Sequence, residues 1–240
     1  MSQSKICGLH GKRGVGKSTL ARAIAHHQAR VVVWDYVGEY GPMAVQCDTV
    51  DDLADYLRAA RSRRFAGVRF VPQEGTVEEF EEFCEVVYGF ENFVVVVEEV
   101  AAVCQASYMT PAFGRIVRQG RHRGLALLWA TQRLNEVSRT LTALTDVWAS
   151  FSVSEPGDLS ALAQRCGREY AEAVARLPRF EWLGYDVDTQ ETFQDRDKLM
   201  ALWGAPSSWN HHSGASIPGI RTNAAQSNSG NSFLRKVHLG

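Results

Sequence analysis

Residues Gly11-Lys12-Arg13-Gly14-Val15-Gly16-Lys17-Ser18 constrain this chain more than any other segment. They fit the spacing G-x-x-x-x-G-K-[ST], between a short apolar run at 5–9 and a helix-periodic stretch at 18–28. A strand that turns through glycines into a helix aims successive backbone N–H groups at one point. The helix start adds the positive end of its dipole, so the segment is suited to holding phosphate. Gly11, Lys12, Arg13, Gly14, Val15, Gly16, Lys17, Ser18 and Thr19 are therefore the expected nucleotide-binding residues. Lys17 is expected at the β- and γ-phosphates of a nucleotide, and the Ser18 hydroxyl at Mg2+.

The rest of the chain alternates strand and helix patterns. Continuous apolar runs at 31–34, 68–71, 93–97, 125–130 and 147–153 read as buried strands, and 180–187 as a late strand that pairs near Thr192. Helical spacing recurs over 49–64, 76–88, 101–119 and 158–177, with Pro111 expected to kink or break the third of these. Thr76 and Glu79 have capping-box spacing. Such alternation predicts an α/β fold, a mostly parallel central sheet with helices on both faces. Hydrophobic residues make up 45% of the 240 and charged residues 22%, which excludes a wholly disordered chain over most of the length. From about Gly204 the composition shifts to Ser, Asn, Gly and His without any Asp or Glu. The expected organisation is one ATPase domain over 1–203 and a flexible basic tail over 204–240.

Five cysteines at 7, 47, 84, 104 and 166 form no C-x-x-C pair, so neither a disulfide framework nor a zinc site is expected. Reduced thiols suit a cytoplasmic setting. No apolar run approaches the roughly 18–20 residues that span a bilayer, so no intrinsic membrane segment is expected.

Three further features narrow the nucleotide chemistry. Val94-Val95-Val96-Val97 leads into Glu98-Glu99, a hydrophobic strand ending in two carboxylates. One acid can hold the Mg2+ shell and the next can polarise an attacking water. Glu98 is assigned to the metal side, with Ser18, and Glu99 to the water. Leu127-Leu128-Trp129-Ala130-Thr131 leads into Gln132, whose amide is placed to sense the γ-phosphate. Just before that strand lies Arg118-Gln119-Gly120-Arg121-His122-Arg123-Gly124, within a stretch of five Arg and no acid at 100–135. Arg121 is the candidate arginine finger, acting on the ATP of a neighbouring subunit; a solvated helix end is the plain alternative.

Taken together, these residues resemble the HerA/FtsK superfamily of ring-forming DNA-translocating ATPases. The likeness includes Asp35-Tyr36-Val37-Gly38-Glu39-Tyr40, similar to the family's D-x-x-G-E-Y. It also includes Gly120-Arg121-His122-Arg123-Gly124 and Thr131-Gln132-Arg133-Leu134, with Leu134 in place of the usual Pro. It covers roughly residues 5–170 and implies a RecA-like P-loop NTPase fold. It further implies ATP and Mg2+ as cofactors, a homo-oligomeric ring, typically a hexamer, and double-stranded DNA gripped by its backbone. In style the chain looks like the genome-packaging ATPases of tailless membrane-containing phages. That implies host cytoplasm or virion as its place, and a capsid or portal-type vertex protein as a possible docking partner. Repair or transfer translocases of the HerA type and filamentous-phage assembly ATPases are the related alternatives.

Other classes remain to be weighed. A GTPase would need an N-K-x-D tetrapeptide, which the sequence lacks. A small-molecule kinase could use the Arg-rich stretch at 58–69 as a lid, although a solvated face explains it more simply. A non-catalytic ATP-binding assembly factor would be expected to have lost a catalytic acid. For DNA contact the candidates are the loop near Gly75, the segment 108–115, and Arg139. The His26-His27 and His211-His212 pairs read as surface residues. Net charge is −1, but 21 of the 26 basic residues are Arg, and they cluster. Arg suits bidentate phosphate contact better than Lys does.

Overall fold

The structure is a computed structural model that describes residues 5–41 and 44–203. The expected tail, 204–240, with His211 and His212, lies outside the described residues. In chain order the elements are β1 (Ile6–His10), α1 (Lys17–His26), β2 (Arg30–Trp34), β3 (Val45–Cys47), α2 (Val50–Ala59) and β4 (Ala66–Phe70). There follow α3 (Val77–Tyr88), β5 (Val94–Val97), α4 (Pro111–Gln119), β6 (Ala126–Thr131), α5 (Arg139–Ala143) and β7 (Val147–Phe151). The chain continues through α6 (Pro156–Cys166), α7 (Arg168–Ala175), β8 (Trp182–Asp186), β9 (Thr192–Phe193) and α8 (Arg196–Trp203).

One nine-stranded sheet has the order β3-β4-β2-β5-β6-β1-β7-β8-β9. Seven strands run parallel, and β8 and β9 close one edge as an antiparallel hairpin. The continuous apolar runs follow from burial on both faces. Every residue of β2 and of β5 is buried. Val31 and Val33 join a core with Leu20, Ala21 and Ile24 of α1 and with Leu199 of α8. Val32 and Trp34 join the opposite core, under α2, α3, α4, α6 and α7. Aromatic rings thicken that second core: Trp34 stacks near Phe70 at 5.6 Å and meets Phe80 edge-on at 5.0 Å.

Close packing sets strand identity at β1. A Cβ on Gly8 would lie 2.6 Å from the Trp129 ring, so only glycine lets the neighbouring indole occupy its place. The Trp129 indole N–H donates to the Thr145 hydroxyl at 3.1 Å, which fixes the ring. All five cysteines are buried and free. Among the described residues, no helix is long and apolar enough to cross a membrane.

Several local expectations are corrected. Pro111 does not kink a helix over 101–119; it occupies the first turn of α4, whose cap is the Thr110 hydroxyl accepting from Phe113 N–H. The missing proline N–H costs nothing there. Residues 100–102 form a separate 3-10 turn. The stretch 158–177 is two helices, divided at Gly167 with φ 90°, a conformation that favours glycine. The Thr76 hydroxyl does accept from Glu79 N–H, but the Glu79 carboxylate does not return to Thr76. It accepts instead from the N–H groups of Gln73, Glu74 and Gly75, tying the turn after β4 to the first turn of α3.

Candidate nucleotide site

The sheet order decides which side chains meet. β6 lies between β1 and β5, all parallel, so their carboxyl ends open on one edge. His10 of β1 pairs with Thr131, and Val97 of β5 pairs with Trp129, so the tip of β6 overhangs the end of β5. Gln132 therefore stands between the glycine loop after β1 and the carboxylates after β5.

The loop itself is held by glycines where φ is positive: Gly11 at 150°, Gly14 at 70° and Gly16 at 106°. A Cβ on Gly11 would meet Phe151 Cβ at 2.6 Å. Gly16 precedes α1 with no side-chain cap, and no acid sits in the first turn. The first N–H groups of the helix are thus left for an anion. The Lys17 ammonium donates to the Gly11 carbonyl at 2.8 Å and to the Lys12 carbonyl at 2.9 Å, closing the loop on itself. Burial pulls the Lys17 pKa down, while the charges of Glu99 and Glu98 oppose that shift. Arriving phosphate oxygens offer the same ammonium a stronger, charged acceptor.

Opposite the loop, Glu98 is buried and accepts a hydrogen bond from the Tyr40 hydroxyl at 2.7 Å. Burial is the largest influence on Glu98 and pushes its pKa up to about 7. The Tyr40 hydrogen bond and Lys17 pull it down, whereas Glu99 and Glu39 push it up. Tyr40 is held in turn by Asp35, whose carboxylate accepts from Glu39 N–H at 2.8 Å and Tyr40 N–H at 3.0 Å. Arg69 pairs with the same Asp35 carboxylate at 2.9 Å. The segment from Asp35 to Tyr40 is thus a tight loop whose last residue positions Glu98. Glu99 has φ 47°, in the left-handed region, which swings its side chain out of the strand direction. Its carboxylate accepts from the Gln132 amide at 2.6 Å.

The result is a cleft of about 820 Å³. Of the expected residues, Arg13, Gly14, Gly16, Lys17, Ser18, Thr19, Glu98, Glu99 and Gln132 line it. Gly11 and Lys12 contribute carbonyls to Lys17, and Val15 turns into the core. Arg121 is elsewhere: it sits in the 3-10 turn Gly120–Arg123, at the amino end of β6. Six strand residues at about 3.3 Å each separate the two ends of β6, so Arg121 is on the order of 20 Å from the cleft of its own subunit.

A cation fits this donor set. The buried Glu98 carboxylate is aimed by the Tyr40 phenol, feels the Lys17 charge, and lines the same cleft as Ser18. Among the described residues, no group of three His, Cys, Asp or Glu side chains could hold a metal ion. The chain's share of a cation here would be Ser18 and Glu98, with phosphate oxygens as the further ligands.

Some lining residues carried no sequence signal. Phe180 lines the cleft, is 62% exposed and has φ 71°. A large side chain in the left-handed region is strained, and such residues gather at functional sites. The neighbouring Arg179 guanidinium lies 4.6 Å over the Phe180 ring and donates to the Gly14 carbonyl at 3.4 Å. This strap ties the β7–β8 edge of the sheet to the glycine loop. Arg133, next to Gln132, pairs with the buried Asp158 at 3.3 Å, so it anchors the β6 tip to α6.

The fold is that of the RecA-like P-loop NTPases. No family profile matches the chain. It is 31% identical over 137 residues to Protein P9 of Pseudoalteromonas phage PM2, a match covering 55% of this chain and 61% of that protein. The fold is similar to the genome packaging NTPase B204 from Sulfolobus turreted icosahedral virus 2, solved in complex with ATP-gammaS. That likeness has a TM-score of 0.68 at 22% identity and covers 80% of this chain and 97% of the other. VirB4 of Thermoanaerobacter pseudethanolicus shares the fold at a TM-score of 0.53 and 14% identity, over 75% of this chain and 86% of that one.

His10 yields a prediction about pH. It is fully buried at the end of β1, and neither ring nitrogen has a partner among the described residues. Burial first, and the Lys17 charge second, push its pKa down to about 3. The folded protein keeps this ring neutral, while the unfolded chain takes up a proton below about 6.5. Stability from this group is full above that value and falls as the pH drops from 6.5 towards 3. In thermal melts, His10→Gln should show a smaller loss of Tm between pH 7 and pH 5 than wild type. Parallel curves would mean that His10 is solvated or paired.

Proposed function

We propose that this chain is a ring-forming ATPase that couples ATP hydrolysis to movement of double-stranded DNA, in the service of packaging a viral genome into a capsid. The observation that carries the reading is the convergence of Glu98, Glu99 and Gln132 on the Lys17 loop. A phosphate cradle alone would suit a binding protein. A cradle facing a buried carboxylate and a second, outward-turned carboxylate suits hydrolysis. Similarity to Protein P9 and to the B204 fold supports packaging over other uses of such a site.

The roles follow from position. The N–H groups of the glycine loop and the start of α1 hold the phosphates, and Lys17 moves from its carbonyls to the β- and γ-phosphates. Ser18 and Glu98 would hold Mg2+, which would supply neutralisation of the charge developing on the phosphates. Tyr40 keeps the Glu98 carboxylate aimed. Glu99 orients the attacking water and takes its proton. Gln132 grips Glu99 now and exchanges that contact for the γ-phosphate when nucleotide is bound. Arg121, too far to serve its own cleft, reaches the ATP of the next subunit across the interface of a ring, proposed as a hexamer. The ring works in the host cytoplasm and docks at a capsid or portal-type vertex.

Duplex DNA added to the purified protein should raise its ATPase rate several-fold. No stimulation by any DNA, together with transfer of phosphate to a small metabolite, would turn the assignment to a kinase. Glu99→Gln should bind ATP within about threefold of wild type and lose hydrolysis by about 10²–10⁴-fold. Full turnover in that variant moves the general base to another residue. Arg121→Ala subunits titrated into wild type should depress activity more steeply than their mole fraction. A strictly linear decline would show that each subunit hydrolyses alone.

A further inference from the structure

The edge of the sheet opposite the nucleotide cleft carries a second cavity, about 550 Å³ in volume. Five arginines line it, Arg30, Arg61, Arg63, Arg64 and Arg123, against a single acid, Glu91. They converge from four places in the chain. Arg30 opens β2, Arg61 to Arg64 lie between α2 and β4, Glu91 precedes β5, and Arg123 precedes β6. The parallel sheet that collects the nucleotide residues at its carboxyl edge collects these guanidinium groups at its amino edge.

Two of the five are fixed as walls. Arg30 is buried and donates to the carbonyls of Asn92 at 3.1 Å and Ala60 at 2.9 Å, and to that of Arg63. Its guanidinium lies 4.2 Å over the Phe93 ring. Arg123 pairs with Glu91 at 3.4 Å and lies 5.1 Å over the Tyr88 ring, while its Nε is buried without a partner. The other three are exposed, and no carboxylate among the described residues pairs with Arg61, Arg63 or Arg64. Arg61 and Arg64 rest instead near the faces of Phe90 and Phe65. Other exposed arginines, such as Arg13, Arg118 and Arg139, also have no carboxylate partner among the described residues, but they do not share a cavity; what sets Arg61, Arg63 and Arg64 apart is their gathering around one concavity with Arg30 and Arg123. Gathering unpaired like charges around one concavity opposes folding through self-repulsion, and a bound polyanion removes that repulsion.

The chemistry of the walls selects the anion. Planar guanidinium forks match phosphate oxygens bidentately. Guanidinium donors outnumber the other polar side chains of the lining, Glu91 and Asn92, and so favour phosphate oxygens over the evenly mixed donor and acceptor set that reads base edges. Its aromatic surface lies beneath guanidinium groups, unlike the apolar centre of a protein interface. Its concave form suits a ridge of phosphates better than a flat bilayer.

We propose that this five-arginine groove binds the phosphodiester backbone of duplex DNA without reading its sequence. The proposal rests on the DNA-motor reading and adds to it a contact surface on the edge away from ATP. It replaces the loop near Gly75, the segment 108–115 and Arg139 as the first place to look. Arg115 of that segment is already paired with Glu85 and lies 5.0 Å over the Tyr88 ring.

The test is fluorescence anisotropy of a labelled duplex of mixed sequence, titrated with the full chain at about 50 to 200 mM salt. In Arg61→Gln/Arg63→Gln/Arg64→Gln, affinity at the low-salt end should fall by about 10- to 100-fold. The slope of log K against log salt should become shallower by about 2 to 3, since each phosphate contact contributes about 0.9. Binding of a fluorescent ATP analogue reports whether the variant is folded; if it is not, Arg61→Glu alone should weaken DNA binding in the same direction. Wild-type slope and affinity in a folded variant would overturn the groove and leave the motor reading standing. A smaller oligomer with unchanged DNA affinity would overturn it in favour of a subunit contact. Loss of binding to phosphatidylserine vesicles, again with unchanged DNA affinity, would overturn it in favour of a membrane surface. Absence of DNA binding and of DNA-stimulated turnover in the wild-type arm would bring down the motor reading, and the groove's ligand with it.

Discussion

Placing charge at the end of an apolar sheet is the constraint on which this structure depends. β1, β2, β5 and β6 are buried almost throughout, and their carboxyl ends deliver Lys17, Asp35, Glu98 and Gln132 to one edge. Lys17, Asp35 and Glu98 are themselves buried. Charges this poorly hydrated are tolerated only when hydrogen-bonded or paired. The loop carbonyls do this for Lys17, two backbone N–H groups and Arg69 do it for Asp35, and Tyr40 does it for Glu98. Glu98 is the least well compensated: among the described residues one phenol donates to it and Lys17 attracts it, while Glu99 and Glu39 repel it. An incompletely neutralised carboxylate beside a phosphate cradle favours a bound cation, so the same imbalance that strains the free protein prepares it for a metal–nucleotide complex.

This gives the Asp35–Tyr40 segment a physical role. In sequence it is a motif with a glycine and two acids. In the structure Asp35 accepts from two backbone N–H groups of its own loop and pairs with Arg69, which holds the loop in place. Its product is the position of the Tyr40 hydroxyl, 58 residues from the carboxylate to which that hydroxyl donates. Gly38, with φ 79°, permits the turn. The edge that gathers the cleft residues is thus assembled from β2 as much as from β1, β5 and β6, and the aim of Glu98 depends on the loop that follows β2.

Legibility in the sequence follows from how local each cause is. The glycine loop, the β-branched strands and the paired glutamates are set by neighbours in the chain, so their patterns predict the α/β architecture and the cleft that gathers them. The conformation at Glu99 and the strap of Arg179 and Phe180 depend on contacts between distant segments, and no short pattern encodes them. β3 was missed for a related reason: two of its three residues are exposed, so it carries no apolar run. Pro111 was misread because proline at the first turn of a helix and proline inside one look alike until the boundary is known; Thr110, a good cap residue, was the available signal. The split at Gly167 was equally visible as a glycine, but only its positive φ distinguishes a break from a tolerated helical glycine.

The distribution of charge closes the argument from composition. A net charge of −1 says nothing about partners, yet the fold gathers arginines on one edge. The cleft at the carboxyl edge mixes the signs, with five acids beside Arg13, Lys17, Arg22 and Arg133, while five arginines and a single acid line the groove at the amino edge. Parallel topology makes this gathering possible, because in the seven parallel strands the residues that open a strand lie on one edge and those that end one lie on the other. In the motor proposed above, the site that hydrolyses ATP and the surface that holds DNA are kept apart yet joined through rigid elements. β2 runs from Arg30 to the Asp35 loop and β6 from Arg123 to Gln132, so the same two strands begin at the groove and end at the cleft. A shift of either strand, if the proposed exchange of the Gln132 contact drives one, would be felt at both ends at once.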